Sequence, residues 1–157
     1  MARRPAPVVH VSDTMTPAER YRRLRLRCRS RGLRMTPQRD ALLRVLSRAT
    51  HHPTADELVR GVRRAHPSVS HATIYRNVQQ LAEHGVISTL ERAGATQYDP
   101  NPDKHHHFVC ERCGAVRDIY LVRIAYRLDG RRSPLKGAEV SGCELRLRGR
   151  CARCRAA

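Results

Sequence analysis

The sequence predicts an α+β chain in two parts, an N-terminal domain of helices closed by a β-hairpin and a small C-terminal α/β domain. Three observations predict it. Helical apolar stripes follow one another up to Gly85 and then give way to strand-like segments. The net charge of +17 is concentrated in one-signed stretches. Two C-x-x-C pairs, Cys110/Cys113 and Cys151/Cys154, lie in the last third of the chain. The expected boundaries are a flexible arm over 1–15, a DNA-binding domain over 16–99, and a metal-binding dimerisation domain over 100–157.

The arm, "MARRPAPVVHVSDTM", has two prolines and no period. Tyr21, Leu24 and Cys28 then recur at helical spacing and predict a first helix over about 16–31, with Cys28 a small core residue. "TPQRDALLRVLSRA" opens with Thr36 as N-cap and Pro37 at the first helical position. Its stripe is Leu42, Val45, Leu46 and Ala49. "PTADELVRGVRRAH" repeats the pattern with Ala55, Leu58, Val59 and Val62. After "PSV", Ser70 caps a fourth helix with the stripe Ile74, Val78, Leu81 and Ala82, stopped at Gly85. Two helices joined by a turn of this length read as a helix-turn-helix. Val86, Ile87 and Leu90 suggest a strand, "AGA" a turn, and Tyr98 a second strand. A helix-turn-helix followed by a hairpin is a winged helix.

Charge sets the expected partner. "RYRRLRLRCRSRGLR" holds eight arginines and no acid between Arg20 and Arg34. A solvated helix normally mixes signs, whereas a one-signed helix calls for an external polyanion. Double-stranded DNA is the expected partner. Arg20, Arg22 and Arg23 are expected at phosphates, and Thr73, Tyr75, Arg76 and Gln79 on the outer face of the fourth helix at base edges or phosphates. No apolar run approaches the ~20 residues of a membrane span, and the N-terminus lacks a secretory signal's apolar middle. A soluble cytoplasmic protein is therefore expected, with no membrane partner.

In a cytosolic chain, doubled C-x-x-C spacing reads as metal rather than disulfide. Cys110, Cys113, Cys151 and Cys154 offer the four soft ligands of a structural zinc site; four buried or redox thiols are the plainer alternative. Beside the first pair stands "HHHFVCERC". If 105–110 is a strand, His105 and His107 point one way while His106, Phe108 and Cys110 point the other. "GAVRDIY" reads as the returning strand, and counting around the knuckle brings Asp118 opposite His107. His105, His107 and Asp118 would form a nitrogen/oxygen site suited to Fe(II), Mn(II) or Zn(II). "LVRIAYRLDG" reads as a short amphipathic helix. "AEVSGCELRLRGRC" reads as a strand carrying Val140, Leu145 and Leu147, with Cys143 either in its core or an extra redox thiol. Exposed strand edges and an apolar helix face in so small a unit predict a homodimer, which also fits a palindromic operator.

"GLRMTPQRDALLRVL", "HPTADEL", "SHATIYRNVQQLAEHGVI" and "HHHFVCERCGAVRDI" resemble, in order, the signature segments of the ferric uptake regulator family, over about residues 16–154. The resemblance implies a dimeric, metal-activated transcriptional repressor with the four cysteines as its structural zinc site. It also implies a regulatory site at the hinge between domains, formed by His52, Asp99, His105, His107 and Asp118 and holding Fe(II) or Mn(II). His52 and Asp99 come from the resemblance alone. Zinc sensors of the family often carry Cys at the position of Asp99, and iron-uptake regulators often Glu. Asp99 points to the peroxide-sensing branch, in which bound Fe(II) reacts with hydrogen peroxide and a ligand histidine is oxidised. The alternative is an iron-uptake or zinc-uptake repressor without peroxide sensing. A further family site in the dimerisation domain is expected to be absent, because Cys143 stands where one of its histidines would be. A zinc protein that binds nucleic acid without sensing explains the charge and the cysteines but not the histidine/carboxylate set. A metal hydrolase is disfavoured by a fully ligated site and by the absence of H-E-x-x-H, so neither enzymatic activity nor a small-molecule substrate is expected.

Overall fold

The computed structural model describes residues 15–92, 95–101, 103–121, 135, 137–140 and 143–156. The described residues form two compact units that divide between Asp103 and Lys104. The expected division after Asp99 falls four residues earlier. The chain stays with the first unit because Asp99 accepts the N–H of Asn101 (2.8 Å), Asn101 accepts that of Asp103 (3.1 Å), and Asp103 pairs with Arg23 of the first helix.

The first unit follows its caps. Helix α1 (Pro17–Ser30) starts in a capping box between Thr16 and Glu19, and α2 (Pro37–Arg48) starts from Thr36 with proline in its first turn. Helix α3 (Ala55–Ala65) starts in a second box, Thr54 with Glu57, and α4 (His71–Glu83) starts at Ser70. Gly85, at φ +62°, turns the chain back so that Val86 N–H donates to the Leu81 carbonyl (2.8 Å). Strands β1 (Ser88–Arg92) and β2 (Ala95–Asp99) form an antiparallel hairpin. The expected turn at 93–94 lies outside the described residues, as do residues 1–14 of the arm.

The expected stripes supply one core. Leu24, Cys28, Leu42, Leu46, Leu58, Val59, Val62, Ile74, Val78 and Leu81 are buried, and Val45, Ala55 and Ala82 are half-buried against them. Two arginines are buried as well. Arg20 of α1 donates to the carbonyls of Ser47 (3.1 Å) and Ala49 (3.0 Å) at the end of α2. Arg39 of α2 donates to Gln80 Oε1 of α4 (2.5 Å).

The second unit is a three-stranded sheet in the order β4-β3-β5. Its strands are β3 (His106–Cys110), β4 (Val116–Ile119) and β5 (Arg146–Gly149), with a last helical turn, α5 (Ala152–Arg155). Strand β4 pairs antiparallel with β3, and β5 parallel. The expected last strand is therefore shorter than its alternation suggested. Leu145 and Leu147 are half-buried, but Val140 is 56% exposed and Cys143 is exposed, both ahead of the ladder. Cys143 is not a core residue. The expected helix over 121–130 lies, apart from Leu121, outside the described residues.

Helix α3 packs against α2 through Gly61, where an added Cβ would lie 2.6 Å from Val45 Cγ1. Valine is stiff at χ1 and cannot swing clear. Gly61→Ala is therefore expected to lower unfolding stability by about 1–3 kcal/mol, despite the ~1 kcal/mol that alanine gains over glycine in a helix. Adding Val45→Ala should restore most of the loss in denaturant unfolding.

Candidate metal centres and nucleic-acid face

Four cysteines come together in the C-terminal unit. Cys110, Cys151 and Cys154 are buried, with Phe108 and Ala115 packed against them. Their position follows from register. Cys110 ends β3 opposite Gly149 of β5, which places Cys151, two residues on, beside it. The Cys151 N–H donates to Cys110 Sγ (3.3 Å). Gly114, at φ +65°, closes the knuckle between Cys110 and Cys113 and donates its N–H to the Cys110 carbonyl (2.7 Å). All four sulfurs lie within 4.8 Å of one another, and Cys113 and Cys151 are 3.8 Å apart. That spacing is about the edge of a tetrahedron with ~2.3 Å metal–sulfur bonds. Backbone N–H groups of Cys113 and Cys151 hold the Cys110 thiol down at about 5. Cys154 is pushed up to about 12 by hydrogen bonding to Cys113 and by burial. Cys113 is lowered as well, by the backbone N–H of Ala115, so thiols with opposite tendencies share one cluster, which a thiophilic dication would even out. The donor set fits zinc.

The opposite face of β3 carries different chemistry. His105, one residue before the strand, and His107 bring their Nε2 atoms to 3.0 Å. His107 pairs across the ladder with Asp118 of β4, the register that counting predicted. Asp118 Oδ1 lies 3.7 Å from His105 Nε2 and 3.9 Å from His107 Nε2, and all three side chains are largely buried. In the plane of these atoms, the point equidistant from them lies about 2.1 Å from each, the length of a metal–nitrogen or metal–oxygen bond. This set fits a borderline or harder dication. His106, on the sulfur side, serves the backbone: its Nδ1 accepts the N–H of Leu145 (3.1 Å) and steers the chain into β5. That role was missed, although alternation alone separates His106 from its two neighbours.

Within the N-terminal unit, His52 and Asp99 meet. The loop before α3 is stitched to β2 by the Thr54–Gln97 bridge and by Tyr98 N–H donating to the Pro53 carbonyl (2.8 Å). His52 Nε2 and Asp99 Oδ1 stand 3.8 Å apart, 6% and 1% exposed.

The residues expected at DNA separate. Arg76 and Gln79 are exposed on α4. Tyr75, 37% exposed, donates its hydroxyl to Asp56 of α3, and Thr73 is half-buried beside the Ser70 cap (hydroxyls 2.9 Å apart). Arg20 is buried on backbone carbonyls, so its expected phosphate contact is corrected to a structural one. Arg23 is engaged by Asp103. Arg22 is exposed on α1. No described helix is long and apolar enough to cross a membrane.

Comparison with known proteins extends these observations. The model of the ferric uptake regulator family matches residues 30–148. The peroxide-responsive repressor PerR of Staphylococcus epidermidis is 35% identical over 97 residues, 61% of this chain and 65% of that protein, so the match spans under two thirds of the relative. Among solved structures, the Helicobacter pylori ferric uptake regulator superposes with a TM-score of 0.62 at 22% identity, covering 90% of this chain and 95% of that one. A zinc-bound manganese uptake regulator superposes with a TM-score of 0.56 at 26% identity, covering 82% and 98%.

Cys110→Ser is expected to cut bound zinc from one ion per chain to nearly none, by elemental analysis. Metal binding at such sites contributes on the order of 10–16 kcal/mol, so the C-terminal unit should lose its cooperative melting while the helical signal of α1–α4 persists. Native melting in a zinc-free variant would contradict the assignment.

Proposed function

The chain belongs to the ferric uptake regulator family, and from that membership we propose that it is a metal-dependent, DNA-binding transcriptional repressor, active as a homodimer on a palindromic operator and responsive to peroxide. The observation that carries the reading is the division of β3 into two chemistries, four thiols on one face and His105, His107 and Asp118 on the other. An all-sulfur site holds zinc tightly and builds the fold. A nitrogen/oxygen set holds Fe(II) or Mn(II) more exchangeably, as a regulatory site requires. The proposed regulatory ligands are His105, His107 and Asp118, joined, as the family resemblance implies, by His52 and Asp99.

In this reading the residues divide the work. Asp118 supplies negative charge that offsets the dication and keeps the two imidazoles turned toward it. Burial excludes water from the same side chains. Fe(II) held there would supply the electrons that break the O–O bond of hydrogen peroxide, a reaction for which Mn(II) is poorly suited. The nearest oxidisable groups are the imidazoles, and an oxidised imidazole is a weaker donor, so the ligand set loses its hold and the DNA-competent state loses its support. The relatedness to a peroxide-responsive repressor supports this reading. An iron-uptake or zinc-uptake repressor without peroxide sensing remains the alternative that the test below separates.

Two outcomes are expected. Arg76→Ala should cost about 1–3 kcal/mol on operator and far less on unrelated duplex if Arg76 reads a base; equal losses in fluorescence anisotropy would make it a positioning residue. After one equivalent of peroxide, peptide mass spectrometry should find oxygen added at His52 or His105 in the iron-loaded protein alone, in step with release of operator. Release that instead tracks cysteine oxidation, or operator binding activated only by zinc, would replace peroxide sensing with metal homeostasis.

A further inference from the structure

A basic groove of about 610 Å³ runs between α1 and α2. Arg22, Arg25 and Arg29 line it from α1, and Arg44 and Arg48 from α2, over Pro17, Ala18 and the Tyr21 ring. Arg25 and Arg44 stack on that ring, 5.7 and 4.7 Å from its centroid. Arg44 pairs with Asp40 (2.8 Å), but among the described residues Arg22, Arg25, Arg29 and Arg48 have no carboxylate partner. Like charges three and four residues apart on a helix repel, so this surface is held at a cost that an external anion would remove. The charge continues onto α3. Arg48 also lines a second groove of about 570 Å³, bordered by Arg60 and Arg64 with one acid, Glu57, which faces His51.

This surface is not the face of α4. Arg39 marks the side of α2 turned to α4, through its bond to Gln80. Arg44 and Arg48 follow Arg39 by five and nine residues, about 140° and 180° around a helix of 3.6 residues per turn. The basic surface therefore lies on the far side of α2 from the helix proposed to face the operator. That helix is itself only weakly charged, with Arg76 and Glu83 both on its exposed face.

We propose that the α1–α2–α3 surface binds the phosphate backbone of a second DNA duplex, without reading its sequence. The proposal rests on the reading of α4 as the operator-facing helix. Arginine forks suit phosphate oxygens, and five of them line the first groove. Two grooves sharing Arg48 extend past the reach of a small anion. Charge favours a polyanion over a protein partner: five arginines and no acid line the first groove, although Leu26 stands 56% exposed among them.

The test uses full-length, metal-loaded protein on immobilised operator duplex, followed by a labelled non-operator duplex across a range of NaCl. Wild type should capture the second duplex. The triple variant Arg25→Gln/Arg29→Gln/Arg48→Gln should retain operator affinity within about twofold, lose second-duplex capture at least ~10-fold, and flatten the salt dependence of that capture by about 2–3 units of slope. Thermal melting checks that it folds. No capture by wild type, undiminished capture by the variant, equal loss of both duplexes, or displacement by poly-glutamate at lower concentrations than DNA would each overturn the proposal. Failure of the operator reading shows separately, as an Arg76→Ala variant with unchanged operator affinity.

Discussion

The register of β3 is the constraint on which the C-terminal unit depends. A strand paired on both sides cannot slip, and a slip of one residue would exchange its two faces. Here β4 fixes His107 opposite Asp118 while β5 fixes Cys110 opposite Gly149. One ladder therefore sets two donor sets at once, sulfur on one side and imidazole with carboxylate on the other. Among the described residues, the buried cluster on the sulfur side is three cysteines with Phe108 and Ala115 against them. A dication bound by these sulfurs would contribute folding free energy that apolar packing supplies elsewhere.

The N-terminal unit is stabilised differently. Two capping boxes and an aliphatic core fix its helices, and two buried arginines lock helix to helix by donating to groups on the neighbouring element. Arg20 donates to α2 carbonyls and Arg39 to Gln80, and both are buried, so neither adds to a phosphate-binding surface. The high positive charge of the chain is thus not one surface. Part of it is buried between helices, and part lines the α1–α2 groove.

What could be read from the sequence follows from range. Caps and helical stripes are local, and α1 to α4 lie where Thr16, Thr36 and Ser70 and the apolar spacing put them. The His107–Asp118 pairing was countable because a short knuckle leaves little freedom between antiparallel strands. The parallel β5 was not, since its partner is some forty residues away and no local period encodes a crossover. For the same reason His52 and Asp99 carried no local signal; the Thr54–Gln97 bridge that joins their segments is a tertiary contact. Nor does the sequence distinguish a buried Arg20 from an exposed Arg22, because an arginine two residues further along a helix turns to another face. Cys143 and Val140 fit an alternating pattern that the ladder does not extend to.

In the proposed reading one strand serves two metals of different chemistry. Native mass spectrometry of protein purified without air, coupled to elemental analysis, tests it most directly when wild type is set beside Asp118→Asn. One zinc and one iron or manganese are expected per wild-type chain, and one zinc alone in the variant. Zinc at both positions in wild type, or loss of both ions from Asp118→Asn, would contradict it.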